Sequence, residues 1–153
     1  MRNKTRLDYN VPNANSFSRI EDLDTKDSPL SVSARDGIWL LDDDVSMLKA
    51  LGRIMSSAGL IAEKFSDPVA FLARLKRARC RVAVLDVWMP QLSGLEVQAC
   101  LRRDSRETRV IFITGRDDPS VRQTALDAGA FAFLGKPFEG EVLVKSIHKA
   151  LEG

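Results

Sequence analysis

The segment VAVLDVWMPQLSG, residues 82–94, joins an apolar run to a carboxylate and then to a loop. The apolar residues Val82 to Leu85 lead directly into Asp86, and the loop that follows contains Pro90 and Gly94. Such a run predicts a buried β-strand, and a charge buried at its end is costly unless another group pairs with it. We therefore expect other parts of the chain to supply partners for Asp86.

The same arrangement recurs along the chain, because four other short apolar runs are each followed by residues with helical periodicity. We predict strands over residues 37–42, 60–65, 82–86, 110–114 and 131–135. We predict helices over about 45–58, 67–78, 95–103, 119–128 and 139–151. Continuous apolar runs are typical of parallel strands that are covered on both faces. The predicted fold is therefore α/β, a doubly wound five-stranded parallel sheet in a flavodoxin-like (βα)5 three-layer sandwich.

The composition is that of one soluble globular domain. The 153 residues are 44% hydrophobic and 29% charged, with a formal net charge of +2 spread along the sequence. This balance predicts neither a membrane-binding surface nor nucleic-acid contact by the domain itself. No apolar run approaches the roughly 20 residues that cross a bilayer, and no secretory signal is recognisable. Cys80, Cys100 and His148 are too far apart to predict a zinc site or a disulfide framework, so we expect a cytoplasmic protein.

The polar, turn-rich residues 1–36 differ from the rest of the chain. They contain few large apolar side chains, so they predict a flexible N-terminal extension, with a short helix at SRIEDL, residues 18–23. Residues 37–153 then form the globular domain.

Charged and hydroxyl side chains follow four of the five predicted strands. They are Asp42, Asp43 and Asp44 after the first strand, Asp86 after the third, Thr114 after the fourth and Lys136 after the fifth. Open α/β sheets bind ligands outside the carboxyl ends of their strands. Clustered carboxylates favour Mg2+, and an Asp can carry a phosphoryl group as an aspartyl phosphate. A cation, an ammonium and a hydroxyl around Asp86 would neutralise phosphoryl oxygens, so we predict phosphoryl transfer to Asp86.

The motifs WLLDDD, VLDVWMPQLSGLE, FITG and FLGKPF, in this order and at these spacings, resemble the CheY-like receiver domain of two-component response regulators. The resemblance covers about residues 37–151. The run TGRDDPSVRQTALDAGAFAFLGKPF is most similar to receivers that precede a LuxR-type, DNA-binding helix-turn-helix domain. The resemblance implies that a sensor histidine kinase or a phosphotransfer protein phosphorylates Asp86. It implies a regulatory domain that is not an enzyme beyond its own phosphorylation and dephosphorylation.

The resemblance also implies a metal site. Asp43, Asp86 and the backbone carbonyl of Trp88 would bind Mg2+, and Asp42 would bind it directly or through water. Because such a site keeps several waters, we expect weak Mg2+ binding in the absence of phosphate.

A switch is implied by the same resemblance. Lys136 would pair with the phosphoryl group, Thr114 would turn its hydroxyl towards a phosphoryl oxygen, and Phe133 would fill the vacated space. The face made by the fourth helix, the fifth strand and the fifth helix would then change its affinity for a partner.

Simpler structural roles remain open for several of these residues. Asp44 is expected to cap the first helix rather than to bind a metal, and Asp42 alone could cap or solvate the same turn. Thr114 could cap the fourth helix, and Phe133 could be a core residue. Lys136 could be an ordinary exposed lysine, although the resemblance makes the bond to the proline after it a candidate cis peptide bond.

Two positions are unsuited to orienting a hydrolytic water. Trp88, two residues after Asp86, is large and has no acceptor group, and Arg116, two residues after Thr114, is long and cationic. We predict that the aspartyl phosphate is long-lived, because bulk at these positions hinders in-line attack by water.

Two rival classes use related features. A haloacid-dehalogenase-type phosphatase also uses Asp, Thr, Lys and Mg2+, but it has a second Asp at the position that Trp88 occupies here. A receiver-like binding module that is never phosphorylated typically lacks part of the set formed by the acceptor, the metal-binding acids, Thr114 and Lys136. The complete set favours the phosphorylated receiver.

The output of the domain is left open by the sequence. No helix-turn-helix pattern lies between the last predicted helix and Gly153. The domain either acts by protein–protein contact as a single-domain regulator or is the receiver part of a longer transcription factor. The mixed surface predicted for the fourth and fifth helices does not decide whether it forms a homodimer.

Overall fold

The computed structural model describes residues 37–152. The extension predicted over residues 1–36, with the short helix at 18–23, lies outside the described residues, as does Gly153. None of the helices within 37–152 combines the length and the apolarity that a membrane span requires.

Within the described range, five parallel strands form one sheet and alternate along the chain with five helices. The strands are β1 (Ile38–Leu41), β2 (Ala62–Phe65), β3 (Val82–Asp86), β4 (Arg109–Thr114) and β5 (Ala132–Gly135). The helices are α1 (Val45–Ser57), α2 (Pro68–Leu75), α3 (Gly94–Asp104), α4 (Pro119–Asp127) and α5 (Gly140–Glu152). The spatial order is β2-β1-β3-β4-β5, so the direction of winding changes between β1 and β3. The predicted flavodoxin-like α/β fold is confirmed.

Two apolar layers cover the two faces of the sheet. One layer packs α2, α3 and α4 against strand residues that include Trp39, Leu85 and Phe112. The other packs α1 and α5 against residues that include Leu40 and Val84. Neighbouring residues of β1 and β3 point to opposite layers, as the two-residue period of a strand requires. The central strands are therefore buried on both faces, which leaves their ends as the places where polar side chains can meet.

The second strand differs from its prediction. The sequence LIAEKF predicts a buried strand over residues 60–65, whereas β2 covers Ala62–Phe65 and none of its residues is fully buried. β2 pairs only with β1, at the edge of the sheet. Charged residues are tolerated at such an edge and discourage pairing with another chain. One of them, Glu63, accepts a hydrogen bond from Arg74 Nε at 2.9 Å.

Short polar side chains begin four of the helices at the carboxyl edge of the sheet. The N-caps are Asp44 for α1, Asp67 for α2, Ser93 for α3 and Asp118 for α4. Asp44 accepts from the backbone N–H groups of Ser46 and Met47, which confirms its predicted capping role. The alternative that Thr114 caps the fourth helix is wrong, because Asp118 occupies that position. Because Asp118 caps α4, the Thr114 hydroxyl can bond to the loop that follows β4.

The loop after β3 depends on the close approach of Gly94 to the end of the strand. The Gly94 N–H donates to the carbonyl of Val87 at 2.8 Å. A Cβ at Gly94 would collide with the backbone oxygen of Asp86 and would lie 3.0 Å from the Phe112 ring. Backbone atoms cannot rotate away as a flexible side chain can, so this position requires glycine.

Gly94→Ala should therefore lower the free energy of unfolding by about 1–3 kcal/mol, as overpacking usually does. Gly52→Ala is the matched control. A Cβ at Gly52, inside α1, would meet only the Lys64 side chain, and alanine favours a helix by up to about 1 kcal/mol. Urea unfolding of both variants measures the difference. Equal stability of the two variants would show that Gly94 is not constrained in this way.

Candidate functional site

Three carboxylates meet at the carboxyl edge of the sheet, where β1 and β3 are neighbours. Asp42 and Asp43 follow β1, Asp86 ends β3, and one oxygen from each lies within 4.8 Å of the others. Asp42 and Asp86 are buried, and Asp43 is exposed. Oxygens on opposite sides of a Mg2+ ion are about 4.2 Å apart, twice the metal–oxygen distance, so small side-chain movements would let all three bind one ion. This donor set fits a hard divalent cation.

One lysine pairs with the two buried carboxylates. Lys136 Nζ lies 3.1 Å from Asp42 Oδ2 and 3.6 Å from Asp86 Oδ1. The Lys136 backbone N–H donates to the carbonyl of Thr114 at 2.6 Å, which ties the end of β5 to the end of β4. The peptide bond between Lys136 and Pro137 is cis, as the resemblance implied. With a side chain only 19% exposed, Lys136 belongs to the carboxylate cluster and is not an ordinary surface lysine.

The negative charge of the cluster exceeds what Lys136 neutralises. Burial, followed by the charge of Asp42, raises the pKa of Asp86 from 3.8 to about 6, and Lys136 opposes this shift. Asp43 adds a further repulsion. Like charges held this close become tolerable when a cation lies among them. The site therefore favours the binding of a further positive charge.

Asp42 also orders the turn that carries its neighbour Asp43. Its Oδ1 accepts the backbone N–H of Asp44 at 2.9 Å, while its Oδ2 faces Lys136. Both oxygens of this fully buried side chain are thus used. The turn from β1 into α1 and the charge cluster depend on the same residue.

The Thr114 hydroxyl is engaged with the loop that follows it. Thr114 is fully buried, and its Oγ1 accepts the Arg116 N–H and donates to the Arg116 carbonyl, each at 3.1 Å. The structure therefore does not pair Thr114 with the carboxylates. To reach a group bound at Asp86, the hydroxyl would have to leave the Arg116 carbonyl.

Phe133 is a core residue that touches α4. Its side chain is buried, and its ring centroid lies 5.9 Å from that of Phe112. The guanidinium of Arg122, on α4, lies 4.8 Å from the centre of the Phe133 ring. Phe133 is therefore a core residue, which is one of the two roles that the sequence left open. The stacked Arg122 connects its ring to α4.

Trp88 and Arg116 form a contact that the sequence does not predict. The Trp88 Nε1–H donates to the Arg116 carbonyl at 3.2 Å, and the Arg116 guanidinium lies 4.2 Å from the centre of the indole. Trp88 is two residues beyond Asp86 and Arg116 two residues beyond Thr114, at the ends of the neighbouring strands β3 and β4. This equal spacing from the ends of two neighbouring strands is the sequence feature that could have predicted the contact. We refer to these residues as the Trp88–Arg116 pair.

Asp86→Asn should stabilise the metal-free protein. Because the folded-state pKa of Asp86 is above its unfolded value, the folded protein binds this proton more tightly, and stability falls as the pH rises from about 4 through 6. The substitution should raise the free energy of unfolding by about 1–2 kcal/mol near neutral pH in EDTA, and by little near pH 4. Urea unfolding at the two pH values measures this.

Asp127→Asn is the control, since Asp127 is exposed and, among residues 37–152, accepts a side-chain hydrogen bond from Gln123 alone. It should change the free energy of unfolding by less than about 0.5 kcal/mol. An Asp86→Asn protein less stable than the native chain near neutral pH would contradict the excess negative charge of the cluster.

Comparison with known proteins assigns the fold and the cluster to a family. Residues 38–148 match the model of the response regulator receiver domain. The chain is 41% identical over 115 residues to response regulator protein TodT of Pseudomonas putida F1, covering 75% of this chain and 51% of TodT. It is 39% identical over 115 residues to response regulator protein TmoT of Ectopseudomonas mendocina, covering 75% of this chain and 52% of TmoT. The chain thus spans about half the length of these curated relatives.

A solved structure agrees with this assignment. Chemotaxis protein CheY4 of Vibrio cholerae matches with a TM-score of 0.68 and 29% identity, over 74% of this chain and 96% of that chain. Membership of this family accounts for the Asp, Thr and Lys residues at this edge. The rival assignment to a haloacid-dehalogenase-type phosphatase is therefore not needed. The chain belongs to the response regulator receiver domains of two-component systems, a CheY-like family of regulatory domains and not of conventional enzymes.

Proposed function

We propose that Asp86 accepts a phosphoryl group from the phosphohistidine of a sensor histidine kinase or a phosphotransfer protein. One observation carries the proposal, the convergence of three carboxylates and the Lys136 ammonium at the ends of β1, β3 and β5. Of the three acids, Asp86 ends the central strand, and the charges of Asp42, Asp43 and Lys136 all act on it. This position makes Asp86 the best candidate for the acceptor.

In the proposed transfer, an Asp86 oxygen forms a bond to phosphorus while the bond from phosphorus to the histidine nitrogen breaks. The nitrogen keeps the electron pair of that bond. With a pKa of about 6, Asp86 is largely ionised near neutral pH and is available as the nucleophile. Lys136 Nζ, 3.6 Å from Asp86, is close enough to move onto an oxygen of the transferred group, where its charge would oppose the developing negative charge.

We propose Mg2+ as the cofactor, held by Asp43, Asp86 and the backbone carbonyl of Trp88, with Asp42 binding directly or through water. The all-oxygen donor set and the uncompensated charge of the cluster support this choice. When bound, the ion supplies neutralisation of the phosphoryl oxygens. Lys136 supplies a second positive charge from the carboxyl end of β5, at the same edge of the sheet.

The proposed switch consists of Thr114 and Phe133. In the modified state, the Thr114 hydroxyl turns from the Arg116 carbonyl to a phosphoryl oxygen, and Phe133 moves into the space that this opens. Arg122 of α4 stacks on the Phe133 ring, so a movement of the ring changes a contact made by α4. The face made by α4, β5 and α5 then changes its affinity for a partner.

The proposed organisation is a receiver domain at residues 37–153 preceded by an extension at 1–36, in the cytoplasm with its kinase. TodT and TmoT are about twice as long as the matched region, which supports a longer regulator. Its proposed output is the helix-turn-helix DNA-binding domain that the motif resemblance implies. Protein–protein contact by the receiver alone, including homodimerisation, is the alternative output.

Intact mass spectrometry after incubation with acetyl phosphate and Mg2+ tests the proposed acceptor. The native chain should gain one phosphoryl group, and Asp86→Asn should gain none. Chelation of the metal with EDTA should abolish the gain in the native chain. Lys136→Ala should still be modified but should signal poorly, because it keeps the nucleophile and loses the ammonium that pairs with the transferred group.

Asp127→Asn is again the control and should be modified as the native chain is, since it removes one carboxylate outside the cluster. A native chain that gains no mass, or an Asp86→Asn chain that gains as much as the native chain, would contradict the proposal. The first of these results would favour a phosphorylation-independent binding module.

The Trp88–Arg116 pair supports a long-lived aspartyl phosphate. Hydrolysis needs a water in line with the bond from phosphorus to Asp86. The hydrogen bond to the Arg116 carbonyl and the stacked guanidinium hold the indole of Trp88, two residues after Asp86, against the loop that follows β4. The indole has no acceptor group to orient a water. An indole ring that is held in one position near the acceptor would instead exclude the hydrolytic water.

Trp88→Asn should therefore shorten the lifetime of the phosphorylated form by about tenfold or more, because the amide oxygen can orient a water that the indole excludes. Trp88→Phe keeps an aromatic ring and should change the lifetime much less. The decay of the phosphorylated mass after removal of acetyl phosphate measures both. A native form that decays within seconds, with Trp88→Asn no faster, would show that the prediction is wrong.

A further inference from the structure

The edge of the sheet opposite the carboxylates is rich in arginine. Its members are Arg79 and Arg81 before β3, Arg102 and Arg103 at the end of α3, Arg106 in the next loop and Arg109 at the start of β4. We call these six residues the arginine edge. Five of them are exposed, and Arg109 is half-buried.

Hydrogen bonds between strand ends hold the arginine edge together. The backbone N–H of Arg81 donates to the Gly37 carbonyl at 3.1 Å, and the N–H of Arg109 donates to the Arg81 carbonyl at 2.9 Å. These bonds join the amino ends of β1, β3 and β4. The five residues of β3 span about 16 Å, so the arginine edge and Asp86 lie at opposite ends of the sheet.

Two neighbouring grooves cross the arginine edge and share Arg106. The first, with a volume of about 520 Å³, is lined by Arg79, Arg81, Arg106 and Arg109 together with Glu107. The second, of about 600 Å³, is lined by Arg102, Arg103 and Arg106 together with Asp127. With Asp104 beside them, three carboxylates face six guanidinium groups. Each groove is therefore lined by more arginines than carboxylates.

Among the described residues, three of the six guanidinium groups, those of Arg79, Arg102 and Arg106, have at most a weak ion-pair partner. Arg79 is 3.8 Å from Glu107 with both side chains largely exposed, a geometry that contributes little. Arg103 pairs with Asp104 at 3.0 Å. In residues 37–152 no carboxylate lies within 4.0 Å of a side-chain nitrogen of Arg102 or Arg106.

Helix stabilisation explains only part of the arginine edge. Arg102 and Arg103 lie in the last turn of α3, where a cation stabilises the helix dipole. Arg81 donates to the carbonyl of Leu151, in the last turn of α5, at 2.6 Å, so it also stabilises a helix end. Arg79, Arg106 and Arg109 lie in loops or begin a strand, so no helix dipole requires them. Their accumulation points to an anionic ligand.

We propose that the arginine edge binds the phosphate backbone of duplex DNA. The planar guanidinium presents paired donors that match phosphate oxygens. Protein–protein interfaces usually contain apolar anchors at their centre. The large exposed apolar side chains of the described range line neither groove; they are Val45, Ile61, Val69, Trp88, Leu126 and Val142. A positive, polar surface without such anchors is typical of nucleic-acid binding. Because this surface shares no residue with the carboxylate cluster, its variants can be tested separately from the acceptor.

Fluorescence anisotropy with a labelled duplex of unrelated sequence tests the proposal. The edge variant is Arg79→Gln/Arg102→Gln/Arg106→Gln. The matched control, Lys49→Gln/Arg53→Gln/Lys145→Gln, removes the same charge from exposed positions on α1 and α5. At about 50 mM salt the edge variant should bind at least about tenfold more weakly than the native chain, and its log–log salt slope should be smaller by about 2.7. The control should lose much less affinity and keep most of the slope.

Three results would overturn the proposal: no binding by the native chain at low salt, equal weakening in the two variants, or capture of poly-L-glutamate by the edge in place of DNA. The last would identify an acidic protein as the partner. Thermal unfolding checks that both variants are folded. Acetyl phosphate labelling of the edge variant should match that of the native chain, so this test is separate from that of the acceptor.

Discussion

The burial of two carboxylates side by side is the constraint on which the rest of the site depends. Asp42 and Asp86 become neighbours because the winding of the sheet changes between β1 and β3. Two like charges removed from water in this way are costly unless they are paired. Lys136, carried by the far strand β5, meets part of that need from 3.1 and 3.6 Å. The charge that remains creates the affinity for a cation on which phosphoryl transfer to Asp86 is proposed to depend.

A single carbonyl group connects the acceptor loop with the proposed switch. The Arg116 carbonyl accepts hydrogen bonds from the Thr114 hydroxyl and from the Trp88 indole. Any movement that draws Thr114 towards Asp86 therefore removes one of the two donors that hold this carbonyl. The proposed exclusion of water by Trp88 and the proposed switch at Thr114 would therefore depend on the same carbonyl group.

The sequence predicts the parts of this structure that follow from apolar runs and from strand direction. The run Val82–Leu85 predicts a central strand, and parallel direction predicts that Asp86, Asp42 and Lys136 meet at one edge. The strand at residues 60–65 was predicted to be buried, and that part of the prediction is wrong. An edge position follows from the strand order and not from the local sequence.

Other features could not be predicted, because they depend on loop conformation or on register. The contact between Trp88 and Arg116 requires two loops to approach in three dimensions, although each residue was recognised as unusual. The direction of the Thr114 hydroxyl depends on the same loop. The arginine edge is dispersed over residues 79–109, and a small net charge gives no sign that the register of β3 and β4 gathers it at one end of the sheet.

The most direct measurement is a crystal structure of the chain with Mg2+ and beryllofluoride, which binds a carboxylate oxygen as a phosphoryl group does. The account predicts beryllium on an Asp86 oxygen, Lys136 Nζ closer to a fluorine than to Asp42, and the Thr114 hydroxyl bonded to a fluorine instead of the Arg116 carbonyl. Beryllofluoride bound elsewhere, or bound at Asp86 with Lys136 still on Asp42 and Thr114 still on Arg116, would contradict it.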